Sequence, residues 1–240
     1  MALGPDYRTR TVSRTGVAAT EIDLGLRQYM LRVYNYMLGG LALTGLVAYA
    51  VVSNAAIAEI VFPLRWVALI ATFGIVLFMS FRLHAMQATT AQILFWVYAA
   101  LMGVWLSPIV LIYTGASVAK TFFVTAGMFG AMSLYGYTTK RDLTSIGSFL
   151  VMGLFGLIIA MVVNIFMQSA AMDFAISVLG VVIFTGLTAW DTQKIKEWYA
   201  EFDEGGVMTK KAVMGALSLY LDFLNMFLFL LRLLGAARSN

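Results

Sequence analysis

The chain has 240 residues, of which 61% are hydrophobic and only 12% are charged, and its formal net charge is +4. It contains no cysteine and a single histidine, His84, which excludes disulfides, thiol catalysis, iron–sulfur clusters and multi-histidine metal or haem sites. A soluble domain carries about twice this fraction of charged residues, and the uncharged runs are long enough to span a bilayer. The basic balance is typical of residues that flank membrane spans, so we expect no nucleic-acid partner.

Two domains are predicted along the chain. Residues 1–30 contain Arg8, Arg10 and Arg14 and are predicted to be a flexible basic N-terminal tail. Residues 31–236 are predicted to form a seven-helix transmembrane domain, so the fold class is an all-α membrane protein. The predicted spans are 33–52, 63–81, 91–113, 120–137, 145–167, 174–192 and 212–234.

The basic residues predict the orientation of these spans. Most of the 16 Lys and Arg residues lie in the tail and in the loops after even-numbered spans. The positive-inside rule therefore predicts a multi-pass protein with a cytoplasmic N-terminus and an external C-terminus. Small residues recur once per turn in the fourth span, at Gly127, Gly130, Ser133 and Gly136, and predict a close helix–helix contact there.

The second span is short of apolar residues. The uncharged run 66–81 between Arg65 and Arg82 covers only about 24 Å of helix, against a hydrocarbon core of about 30 Å. Arg82 therefore either snorkels to the interface or enters the bundle to meet a carboxylate. His84 is interpreted as an ordinary loop histidine.

Two aspartates lie inside the last two apolar runs. Asp191 is expected about one turn inside the rim marked by Lys194 and Lys196, and Asp222 near the middle of the last span. An ionisable group at this depth is costly unless it is paired, protonated or wetted, so a chain rarely carries two without using them.

Further polar residues accompany each aspartate. Ser218 and Asn225 share a helical face with Asp222, and Thr188 and Thr192 are predicted to share one with Asp191. Turned toward each other, the two stripes would form a polar interior seam.

Two carboxylates within hydrogen-bonding distance share a proton and titrate as a unit. Deprotonated, they offer hard oxygen ligands that suit Ca²⁺, so a Ca²⁺ site at Asp191 and Asp222 is a further hypothesis. The alternative is structural: Asp191 would be solvated at the interface, and Asp222 would form an interhelical hydrogen bond.

Three segments carry a family resemblance: 134–143 (LYGYTTKRDL), 191–195 (DTQKI) and 219–225 (LYLDFLN). They resemble the Bax inhibitor-1 family, the transmembrane Bax inhibitor motif proteins, in its bacterial branch. The resemblance implies a seven-helix bundle with the last helix at the centre. It also implies a pH-sensitive calcium leak in which Asp191 and Asp222 are the sensing pair and Arg82 is their counter-charge. A bacterial inner membrane is the implied location.

Three functions follow from these observations. The first is a proton-regulated cation leak channel, with no cofactor and with Ca²⁺ as the permeating or bound ion. The second is a membrane interaction protein that binds and modulates a membrane-bound ATP-dependent protease or another partner, as some bacterial relatives are thought to do. The third is an intramembrane aspartic protease, which is disfavoured because Asp222 lacks a glycine-rich context, so we expect no enzymatic activity.

Overall fold

Seven α-helices make up the computed structural model, which describes the backbone of residues 8–237 and the side chains of residues 24–237. All seven are long and apolar enough to cross a membrane, which confirms the predicted fold class. The helices are α1 (Arg8–Ser53), α2 (Ala55–Arg82), α3 (Ala88–Ile112), α4 (Gly115–Thr138), α5 (Thr144–Met167), α6 (Ala170–Glu197) and α7 (Gly205–Leu234).

Side chains at the N-caps explain where several helices begin. Asn54 Oδ1 accepts hydrogen bonds from the backbone N–H groups of Ala56 and Ile57 at the start of α2. Thr114 and Ser169 cap α4 and α6 in the same way. These side chains satisfy N–H groups that have no partner within the first turn of a helix.

Pro63, the first residue of the predicted second span 63–81, instead lies inside α2. The turn on that side is at Asn54, and α2 begins at Ala55. Proline is tolerated in membrane helices where local adjustments and neighbouring groups satisfy the freed carbonyl. The second span is therefore longer than its uncharged run indicates, and it includes Arg65.

The last helix lies at the centre of the bundle, as expected. In its most apolar stretch 67% of the residues of α7 are buried, against at most 39% in any other helix. It packs against α1, α3, α4 and α6, whereas α2 packs mainly on α3 and α5 on α6. The aromatic and aliphatic side chains of α7, among them Leu217, Tyr220 and Phe223, form much of the main core.

Hydrogen bonds near the ends of the helices identify the two ends of the bundle. At one end, which we term the basic end, Lys210 Nζ donates to His84 O and Lys196 Nζ donates to Tyr137 O. At the opposite end the backbone of Ala236, just after α7, pairs with the turn between α3 and α4. The helices therefore alternate in direction, so the start of α1 and the end of α7 lie at opposite ends of the bundle.

Part of the segment assigned to a flexible tail is helical. The structure begins α1 at Arg8, while residues 1–7 and the side chains before Leu24 lie outside the described residues. Tyr29 and Met30 are buried in the core, so the last part of the segment 1–30 is packed helix. No proline interrupts residues 8–53, so the packed part can propagate as helix toward the N-terminus.

The small residues of α4 do not form one contact face. A Cβ at Gly136 would overlap the backbone oxygen of Ala189 on α6, and Ser133 is buried at the same contact. Gly127 and Gly130 are exposed, and a Cβ at either would meet open space. The prediction of a continuous small-residue face was therefore wrong for these two glycines. Residues spaced three apart drift by about 60° per repeat around a helix of 3.6 residues per turn, so Gly127 and Gly130 face away from the contact at Gly136.

Candidate functional site

The central feature is a pair of aspartates on two packed antiparallel helices. Asp191 lies in the last turns of α6, and Asp222 lies near the middle of α7. Both side chains are in the interior, with 9% of the surface of Asp191 and 4% of that of Asp222 exposed. The Asp191 carboxylate is close enough to Asp222 for their charges to interact. The structure therefore brings together the two carboxylates identified in the sequence.

Both carboxylates line one cavity of about 660 Å³, which we term the aspartate cavity. Its walls come from α2, α3, α5, α6 and α7, and most of them are apolar. The polar side chains that line it are Thr72, Asp191, Lys194, Ser218, Asp222 and Asn225. Concave sites with a few polar groups in an apolar wall are the usual form of a binding or transport site.

A lysine balances the charge of Asp191. Lys194 Nζ lies 2.6 Å from Asp191 Oδ1, one turn further along α6. The same ammonium group lies 4.3 Å from the centre of the Trp190 ring, where a cation–π contact holds it. Because Lys194 pairs with one carboxylate only, the group of Asp191, Lys194 and Asp222 has a net negative charge when both aspartates are ionised.

Asp222 has an unsatisfied oxygen. Its Oδ2 atom is buried without a hydrogen-bond partner among the described residues. A buried acceptor of this kind costs free energy, and a charged one costs more. A proton on this oxygen would remove its charge and lower that cost.

Arg82 lies away from the pair. It is exposed at the end of α2, does not line the aspartate cavity and forms no ion pair among the described residues. The cation at the carboxylates is Lys194, which was expected from the sequence only to mark the rim of the sixth span. The spacing between Asp191 and Lys194 was the available signal, since residues three apart meet on one helix face.

The polar residues beside the aspartates divide into two groups. Ser218 and Asn225 line the aspartate cavity with the carboxylates, as expected. Thr192 instead accepts or donates a 3.1 Å hydrogen bond with Ser133 of α4, and Thr188 is buried and bonds to its own helix. Adjacent residues of a helix point about 100° apart, so Thr192 cannot share the direction of Asp191.

A residue that the sequence analysis did not single out is Gln193. Its Nε2 atom donates to Arg141 O, and its Oε1 atom accepts from Leu143 N, each at 2.8 Å. Gln193 thereby connects the turn between α4 and α5 to α6 by two hydrogen bonds. This connection lies two residues after Asp191 in α6. The place of Gln193 in segment 191–195, next to one of the two membrane aspartates, was the only sequence signal.

The turn that Gln193 holds has its own capping group. Asp142 Oδ1 accepts a hydrogen bond from the backbone N–H of Thr144 at the first residue of α5. Hydrogen bonds from the Thr144 side chain and backbone lower the pKa of Asp142. Together these contacts give the polar part of segment 134–143 a structural role at the basic end.

Metal ligands are sparse in the part of the chain that the structure describes. No group of three or more His, Cys, Asp or Glu side chains could hold a metal ion there. The two aspartates supply at most about four of the six to eight oxygens that Ca²⁺ takes. This donor set fits an ion that keeps part of its water better than a tightly bound one.

Comparisons with known proteins show the family of this chain. Residues 26–239 match the family model described as "Inhibitor of apoptosis-promoting Bax1". An uncharacterized protein of Rickettsia prowazekii is 51% identical over 236 residues, covering 98% of this chain and 99% of that protein. The inner membrane protein YbhL of Escherichia coli K12 is 46% identical over 219 residues, covering 89% and 94%. The chain is therefore a seven-helix membrane protein of the Bax inhibitor-1 family.

Proposed function

We propose that this protein is a pH-regulated cation leak channel with Ca²⁺ as a permeating ion. The observation that carries the proposal is that Asp191 and Asp222 are buried and line the same cavity within the helical bundle. Ionised carboxylates attract a cation into an apolar bundle. Because the site supplies only a few oxygen ligands, it binds the cation weakly enough for the ion to leave again, as conduction requires. The family resemblance of the sequence supports the same function.

Protons regulate the leak through the same two carboxylates. When both are ionised, only one is balanced by Lys194, and the unpaired oxygen of Asp222 faces repulsion from Asp191. A proton shared by the pair removes this repulsion and also removes the negative charge that attracts a cation. Flux should therefore fall as the pH falls.

The location that fits this function is a bacterial inner membrane, with the basic end in the cytoplasm. The relative YbhL is named an inner membrane protein. Lys140, Arg141, Lys210 and Lys211 lie at the basic end, where the positive-inside rule places the cytoplasm.

Calcium flux into liposomes that contain only the purified protein tests the proposal. We expect flux without any partner, and a decrease when the pH is lowered across neutrality. Asp222→Asn keeps the shape of the side chain but removes its charge, so it should remove most of the pH dependence. No flux from correctly folded wild-type protein would support the second function, in which the protein binds and modulates a protease or another partner.

The two aspartates should behave as one unit. Asp191→Asn should also weaken the pH dependence, and the double variant should be no worse than the more severe single one, since coupled sites are not additive. Unchanged pH dependence in both single variants would reduce the pair to a structural role.

A further inference from the structure

A second concave surface lies between α1 and α4, two helices that do not line the aspartate cavity. This α1–α4 groove has a volume of about 490 Å³ and shares no lining residue with the aspartate cavity. Its lining is mostly apolar, from Met30, Leu31, Phe129 and Leu134. Gly130 leaves additional room, because a Cβ there would meet open space.

The polar groups inside the α1–α4 groove bond to each other. Tyr34 Oη lies 2.5 Å from Ser133 Oγ across the groove, and Ser133 Oγ lies 3.1 Å from Thr192 Oγ1 behind it. These hydroxyl groups do not require a polar ligand, since each already has a partner. The inner part of the groove therefore suits a hydrocarbon chain. Such a chain forms van der Waals contacts there and leaves no buried polar group without a hydrogen bond.

Positive charge surrounds the mouth of the groove. Arg27 lines it, is exposed and forms no ion pair among the described residues. Lys140 and Arg141 follow α4 at the same end, and Lys196 Nζ binds the carbonyl oxygen of Tyr137, which also lines the groove. No carboxylate from residues 24–237, whose side chains the structure describes, lines the groove, so its mouth complements an anionic group at the membrane surface.

We propose that the α1–α4 groove binds one phospholipid with an anionic headgroup, drawn from the leaflet at the basic end. An acyl chain lies along the apolar lining past Gly130, and the headgroup meets Arg27. The volume of the groove falls within the range of about 300–1,000 Å³ that is usual for ligand sites. The inference does not depend on the proposed cation flux, because the two concave surfaces are separate.

Native mass spectrometry of the detergent-purified protein tests this site. Phosphatidylglycerol and phosphatidylethanolamine are added at equal concentrations, and the retained lipid is counted. We expect one retained lipid with about a fivefold preference for the anionic headgroup, which is the contribution of one arginine at a membrane surface. Arg27→Gln should abolish the preference, and Gly130→Leu should fill the groove and reduce retention of both lipids.

Matched variants separate this site from general lipid binding. Arg32→Gln removes an exposed arginine of α1 that does not line the groove, and Gly127→Leu adds the same bulk at another open position of α4. Both should retain lipid as the wild type does. Equal retention of the two lipids by the wild type, or equal losses in the control variants, would overturn the proposal. If Gly130→Leu does not fold, Arg27→Gln decides alone, since its side chain is exposed.

Discussion

Asp222 is a buried carboxylate near the middle of α7. A carboxylate in the middle of the most buried helix is expensive, and its Oδ2 atom has no partner in the described part of the chain. Asp191 differs, because Lys194 pairs with it near the end of α6. Lys194 thus balances the charge of Asp191, whereas Asp222 has no ion-pair partner among the described residues.

The Lys194 ammonium group should set the pH range of the leak. Without this cation the two carboxylates repel each other more strongly and accept a shared proton more readily. Lys194→Gln should therefore move the midpoint of the flux–pH curve to higher pH. Flux in liposomes across a pH series measures the shift. A midpoint identical to that of the wild type, at equal protein content, would show that Lys194 has no part in regulation.

Arg82→Gln is the matched variant for this experiment. Because Arg82 is exposed and does not line the aspartate cavity, we expect its flux–pH curve to follow the wild type. A rise in leak at neutral pH would instead support the arrangement suggested by the sequence, in which Arg82 pairs with the carboxylates in a closed state. Arg82→Lys then adds a second check, since lysine replaces a snorkelling arginine but not a bidentate partner.

At the scale of helices, the contact between α4 and α6 depends on one glycine. A methyl group at Gly136 would overlap the backbone of Ala189, which cannot move as a flexible side chain would. Gly136→Ala should therefore separate the helices and destabilise the protein by about 1–3 kcal/mol. Thermal unfolding in detergent, followed by size-exclusion chromatography, measures the loss.

Gly127→Ala is the control for this contact. It makes the same substitution in the same helix, at a position where the Cβ meets open space. It should leave the unfolding temperature unchanged or raise it slightly, because alanine favours a helix over glycine. Equal effects of the two substitutions would mean that α4 and α6 do not approach as closely as the structure shows.

At the scale of the whole molecule, seven spans predict that the termini lie on opposite sides of the membrane. The chain has no native cysteine, so single cysteines can be introduced without interference. In intact cells an impermeant thiol reagent should label Ser239→Cys, whereas Ser13→Cys should react only after permeabilisation. Labelling of both from the same side would contradict an odd number of spans and the proposed orientation.

Sequence alone determined the class of the fold and the identity of the two central residues. A long uncharged run is stable in a bilayer as a helix, which satisfies its backbone hydrogen bonds internally. An aspartate inside such a run can be recognised from the sequence alone, because ionisable residues are rare there. Segments 134–143, 191–195 and 219–225 also identified the family, which the comparison over residues 26–239 shows.

Only the tertiary structure decided which side chains meet. It placed Lys194 rather than Arg82 at the carboxylates, turned Thr192 toward Ser133 and left Gly127 and Gly130 away from other helices. The physical reason is that hydrophobic runs specify how deep a residue lies. The direction in which each helix faces follows from packing against its neighbours, and packing involves residues far apart in the chain.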